Sequence, residues 1–539
     1  MLPGSIHAAT GMMKISNCVS MHRQVVIHCQ PEPRPPKLSL LSRMGHWRNN
    51  LALGFLLLSL VSFTTVRVDA QPVPANTPNT KADLRWQQFK QAHETNGVHF
   101  DFAALIPPAV PDQQNFALTP ILKTWMNYSN RLTLSWEGDD RYASPTNDSW
   151  VDGDVLNLRP WQVYYKNLSY QTNRFPVPAH PGSPAADVLY ALSIYDHQIA
   201  ELHTESELPD ARFPINYDRG IPYAILLPHL APLKMCSQML QLRACAELGA
   251  LKPDNALPEV ELMLKLANTL DTEPCLISQM VRNAVVTLAL QPVWEGIHRH
   301  QWSDAQLARL NTALASINFL SEYRQTMLGE QAMFLTTLDT LHRHPNSEEF
   351  SNFFSAFPPE EFTFPTNGLS PTWFAENQLR YATICLSAGL PVVNPLAHRI
   401  YPPVVLALPT VVAQATNEFP DCDLAISFVS SICRPAPRFA FAQTATDLAR
   451  LAIALERYHL AHADYPAALA DLTPDYLKPA DIPCEVMTGE PLHYERLSEN
   501  RFELYATGWT YDKSLVTSST AKNHVPVYAR EKWEWPGSY

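Results

Sequence analysis

Between residues 185 and 345 the apolar positions recur at spacings of three and four, segment after segment, and this periodicity limits the chain more than any other feature. Val188, Leu192, Tyr195, Ile199 and Leu202 form one stripe, and Leu233 to Leu248 repeats the pattern up to Gly249. Met263, Leu266 and Leu270 come next, with Pro258 read as a first-turn residue, and Ile277, Val281, Ala284, Val285 and Leu288 mark the segment after it, which Pro292 is expected to kink. Ser303 and Gln306 have the spacing of a capping box, ahead of Leu307, Leu310, Leu314 and Ile317; Leu320, Tyr323, Met327, Phe334, Leu338 and Leu341 make the last stripe. Such stripes are stable only when each helix covers its neighbour's apolar face, and short connections favour antiparallel neighbours. The expected fold is mainly α: stacked helical hairpins, similar in physics to tetratricopeptide (TPR) arrays but without a strict repeat.

The flanking regions set the organisation. Leu51 to Val61 is an apolar run behind Arg48, and Val68-Asp69-Ala70 offers small residues to a signal peptidase, so residues 44–70 read as a signal peptide or, if uncut, an anchor. The run is short of the ~20 residues of a spanning helix. Residues 1–43 read as an over-extended or disordered leader, and residues 71–184 as a linker with an irregular, aromatic-rich segment that wraps over the helical body. The body is 185–345 and a Pro-rich helical continuation is 346–442, in which YPPVVLALPTVV reads as a buried segment and not a membrane span. The last part, 443–539, has an Ala/Leu-rich helix, a Tyr465-Pro466 stop and two short alternating strands, a small α+β module. The chain has 47 prolines against 17 glycines, so many helices are capped or interrupted.

Charge and cysteine usage narrow the function classes. A net charge of −12 without a Lys/Arg stripe excludes a nucleic-acid binder. The nine cysteines follow no disulfide framework and make no CxxC, although Cys422 and Cys433 could close a loop in an oxidising compartment. GxSxG, HExxH, GxxxxGK[ST] and GxGxxG are all missing, so no catalytic residue, metal ligand or cofactor is assigned. His197, Glu201, His203 and Glu205 read as a solvated helix end, and His298 and His300 as cations at a helix C-terminus. Arg282, Glu295, Arg324 and Glu330 lie in otherwise apolar helices and must pair if they point inward. They are the weak candidates for a binding site, with a structural Arg–Glu network as the preferred role and a substrate groove as the other. Trp125, Trp136, Trp150, Trp161, Tyr164, Tyr165 and Tyr170 read as packing for an irregular segment before they read as a stacking platform.

Two resemblances bear on this. ALERYHLAHADYP, DLTPDYL, TGEPLHYE and FELYATG resemble, in that order, the soluble domain of the type II secretion major pseudopilin. The chain departs from that pattern at Thr510 to Ser514, which has one carboxylate where the family is Asp-rich and holds calcium, and at Ser59, where a prepilin cleaved before Phe55 needs Glu. A fibre subunit is therefore not expected. PPAVPDQQNFA, ARFPINY, EPCLISQMVRNA, ALQPVWEGIHRHQWSDAQLARL, EYRQTMLGEQA and the closing KWEWP resemble a family of uncharacterised secreted proteins of verrucomicrobial and planctomycete-type bacteria, from about residue 83 to the end. That resemblance implies export and no particular activity. The expected function is a non-catalytic interaction or scaffold protein of the cell envelope, periplasmic or extracellular, touching membrane only through an uncleaved N-terminal segment. The alternatives are an extracytoplasmic hydrolase with carboxylates drawn from separate helices, and an accessory component of a type II secretion-like system.

Overall fold

The computed structural model describes residues 80–126, 145–218, 220–355, 369–418, 423–432, 434–509 and 527–537. The leader, the signal or anchor segment, Trp136, Thr510 to Ser514, Cys422 and Cys433 lie outside the described residues. The first helices are α1 (Lys81–Glu94), α2 (Pro120–Thr124), α3 (Leu158–Thr172), α4 (Pro184–Leu192) and α5 (Asp196–Glu205). The predicted stripe from Val188 to Leu202 is buried throughout, but it spans α4 and α5, with a tight turn at Ser193–Tyr195 between them. The body consists of α6 (Leu230–Gly249), α7 (Pro253–Asn268), α8 (Leu276–His298), α9 (Asp304–Ala315) and α10 (Phe319–Arg343). α6, α7 and α8 pack against one another, and α10 packs against α8. Ser303 and Gln306 close the predicted capping box at α9.

Pro258 differs from expectation. It lies inside α7, because Pro253 occupies the first turn, where a missing N–H costs nothing. After α11 (Glu348–Ser355) and α12 (Pro371–Ile384) come the two-residue strands β1 (Val393–Asn394) and β2 (Arg399–Ile400), then α13 (Pro402–Glu418) and α14 (Asp423–Ile432). α12 packs against α1, α10 and α14, so the N-terminal segment does fold back onto the body. Phe102 N–H also donates to Thr336 Oγ1 at 3.0 Å.

α13 overturns the expectation of a buried segment. Only Leu408 is buried among its residues from Pro402 to Gln414, and Pro403, Leu406, Ala407, Thr410 and Ala413 recur on its exposed side. Prolines 402 and 403 sit in the first turn, where they initiate a helix and do not break it.

The C-terminal part is α15 (Ala436–His462) with β3 (His493–Ser498), β4 (Arg501–Thr507) and β5 (Lys532–Trp535), an antiparallel sheet in the order β3-β4-β5. The boundary expected at 443 falls inside α15. The helix begins at Ala436, because Pro435 and Pro437, which read in sequence as the end of a Pro-rich stretch, mark its start. From Ala436 to Glu456 every residue except Arg438 and Arg450 is buried, as expected of a helix apolar on all sides. It packs on α8, α9 and α10, and so lies inside the body. The sheet is fixed there too: Trp533 meets Phe441 edge-on at 5.6 Å, Trp535 lies 5.2 Å from Trp150, and Trp294 Nε1 donates to Pro536 O at 3.0 Å. The chain is mainly helical with a small sheet, and no strand interrupts the described residues of 185–345.

Candidate functional site

The four weak site candidates do not converge. Arg282, on α8, pairs with Glu322 of α10 and donates through Nη1 to Asn268 Oδ1 at 2.7 Å. Glu295, further along α8, accepts from Gln291 Nε2 and from the backbone N–H of Leu156, both at 2.9 Å. Arg299 approaches it at 3.3 Å, and burial pushes its carboxyl upward. Gln291 in turn accepts the N–H of Trp150 and donates to Asp154 O. This pair of side chains therefore satisfies the backbone of the irregular 149–156 segment. Arg324 is exposed.

Glu330 stands apart. Its Oε1 accepts from Leu276 N–H at 2.9 Å, and burial pushes its pKa up to about 7. Around it Tyr381, Cys275 and Cys385 are buried and Tyr223 is partly buried; desolvation holds Tyr223, Tyr381 and Cys275 neutral, each raised further by the nearby carboxylate or thiols. A near-neutral acid among tyrosines is the kind of perturbation that marks functional sites. The Cys275 thiol, raised well above its ordinary value, is inert as a nucleophile.

No family model, curated protein or solved structure matches the chain. Its chemistry therefore rests on its own geometry.

Two histidine–carboxylate contacts join segments far apart in the chain, and of their four members the sequence singles out only His300. His398, in left-handed backbone between β1 and β2, lies with Nε2 2.9 Å from Asp447 Oδ2, and Gln443 Nε2 donates to Asp447 Oδ1 at 3.1 Å. Gln443 also accepts the N–H of Phe319 at the start of α10, so this chain of bonds joins three elements. The second contact closes the C-terminal end of α8. His300 Nδ1 lies 2.8 Å from Oε1 of the fully buried Glu456, and Tyr465 donates to Glu456 Oε2 at 3.1 Å. His459, one turn along α15 from Glu456, stacks between His300 and Tyr465, with ring centroids 5.1 and 4.6 Å away.

The sequence places His300 at the helix end as a cation. It lies just past the helix in left-handed backbone, and Glu456 raises its pKa by hydrogen bonding. His298 is the basic residue of the last turn of α8, its ring stacked on Trp294 at 4.8 Å, and burial pushes its pKa down. Glu456-x-x-His459 is visible as a spacing. His300 is 156 residues away from Glu456, and no local signal joins them.

His197 is almost wholly exposed and 3.9 Å from Glu201, while His203 turns to Glu259 at 3.8 Å, so these residues form no cluster. Trp125, Trp150, Trp161 and Tyr165 are buried in the core, and Tyr170 is exposed.

Proposed function

We propose that the chain is an exported, non-catalytic interaction or scaffold protein of the cell envelope, carried to the periplasm or beyond by residues 44–70 or held at the inner membrane by them. The observation that carries this is the outward side of α13. From Pro402 to Asn417 the helix has no charged residue, yet Pro403, Leu406, Ala407, Thr410 and Ala413 face water, and Leu396 on the preceding β1–β2 turn is fully exposed. An uncharged helix side of small and apolar residues, with Leu406 exposed on it and Leu396 exposed beside it, is a surface that suits a partner. Among the described residues no helix is long and apolar enough to cross a membrane. We read this side of α13 as a protein-binding surface. The wider layout supports stacked hairpins, TPR-like without a strict repeat, and a tail whose order of parts is pseudopilin-like. In that layout α15 serves as a spine for this protein alone, with an accessory role beside a type II secretion-like system as the narrower form of the same proposal.

The test is capture from envelope fractions by the full chain and by its Leu406→Glu and Leu396→Glu variants, each checked for unchanged helicity and melting. The same partner should be recovered by the parent and lost at least about tenfold, roughly 1.4 kcal/mol, by the variants. Identical recovery by parent and variants would sink the proposal.

The near-neutral acid at Glu330 favours one other function, an extracytoplasmic hydrolase with Glu330 as its proton donor. Hydrolysis of ester, glycoside or peptide probes by the parent and not by Glu330→Gln would establish it.

A further inference from the structure

We propose that His300, Glu456 and His459 form a binding site for a divalent transition ion, with zinc the natural probe. One donor atom from each lies within 4.8 Å of the others, a grouping of two imidazoles and one carboxylate. Bonds of about 2.0–2.2 Å in tetrahedral geometry need donors about 3.4 Å apart, and His300 Nδ1 and Glu456 Oε1 already sit closer than that, at 2.8 Å.

Three independent features point the same way. First, the carboxylate is oriented. Glu456 is fully buried on a rigid helix, and Tyr465 holds its far oxygen. Second, His459 Nε2 lies 3.1 Å from Asn500 Oδ1, a contact that leaves Nδ1 with its lone pair when Nε2 is the donor. That Nδ1 is buried with no hydrogen-bond partner, an orphaned acceptor of the kind a metal ion satisfies. An imidazole that donates its other N–H to a carbonyl oxygen has the second contact typical of a metal ligand. Third, His300 occupies a position that favours glycine. Gln301 N–H donates to Gly296 O at 2.8 Å and His300 N–H to Ile297 O at 3.0 Å, the paired bonds of a helix stop whose left-handed residue is usually Gly. Here that residue is histidine, with φ +50°. The backbone strain sets its ring against Glu456 and His459 while leaving its other edge to solvent.

Two imidazole nitrogens select a borderline transition ion over calcium or magnesium, which take oxygen cages. Three protein ligands at a partly exposed edge leave a coordination position for water. The ion would tie the end of α8 to α15 and, through Asn500, to the β3–β4 turn.

The full chain, stripped with a chelator, is titrated with Zn2+ by calorimetry and with Co2+ by visible absorption near neutral pH. One saturable site with tetrahedral or five-coordinate Co2+ bands is expected, along with a melting temperature that rises with Zn2+. His300→Gly suits the left-handed backbone and so should fold. It and His459→Gln should each weaken Zn2+ binding about a hundredfold, and Asn500→Ala about tenfold. Absence of saturable binding by the folded parent overturns the site, and so does parental affinity in both histidine variants.

Discussion

Arg282 and Glu322 meet in a flat two-bond pair between α8 and α10: Nε donates to Oε2 at 3.0 Å and Nη2 to Oε1 at 2.9 Å, with both side chains nearly excluded from water. Removing either partner strands a charge in a dry interface, which costs far more than the pair contributes as a whole. Arg282→Met should lower stability by about 3–5 kcal/mol, measured by urea unfolding, whereas Arg282→Met with Glu322→Leu should recover most of it. A double variant as unstable as the single one would show that the pair stabilises in its own right.

Gly329 explains how α10 comes close enough to α8 to place an acid there. A Cβ at this position would lie 1.9 Å from Pro274 O and 2.9 Å from Pro274 C, which are backbone atoms that cannot rotate away. Mid-helix Gly to Ala ordinarily gains about 1 kcal/mol of helix propensity. Here the clash should reverse the sign, and Gly329→Ala should destabilise by about 1–3 kcal/mol. The displacement of Pro274 should also loosen the bond from Leu276 N–H to Glu330, the next residue along α10. A Gly329→Ala protein that melts above the parent contradicts that close approach.

How much of the fold is legible in the sequence depends on the range of each signal. The stripe on α10 is legible because the 3.6-residue period acts within one helix: Leu320, Tyr323, Met327, Phe334, Leu338 and Leu341 are all buried. Arg282 stands out as an inward charge that must pair, but the sequence does not name Glu322 as its partner, because which acid faces it depends on how two helices are set against each other. The start of α15 is hidden because Pro435 and Pro437 look alike at a helix's first turn and in a loop. α13 reads wrongly as buried because an uncharged apolar run has the same composition whether a protein core or a partner covers it. His300 and Glu456 are brought together by tertiary structure alone, and His398 and Asp447 likewise.

Glu330 should give the protein a pH dependence of a definite sign. Burial raises its carboxyl from the ordinary 4.5 to about 7, with the Leu276 N–H only partly opposing the shift. The folded state therefore keeps a proton that the unfolded chain has already released, and between those two values folding is linked to proton uptake. Stability from this group is unaffected below about 4.5, falls as pH rises from about 4.5 to about 7, and is level above that; the full span is about 3 kcal/mol. Glutamine keeps the acceptor for Leu276 and cannot ionise. Unfolding free energies of the parent and of Glu330→Gln should converge at the acid end of the window and separate as pH rises, with the variant the more stable near and above neutrality. The difference between the two proteins cancels titration elsewhere, including that of His300 and His398, whose raised values also make stability fall as pH rises past them. A parent–variant difference that stays flat from about 4.5 to about 7, or that grows toward acid, means the carboxyl is not held in its protonated form, and the hydrolase alternative loses its proton donor with it.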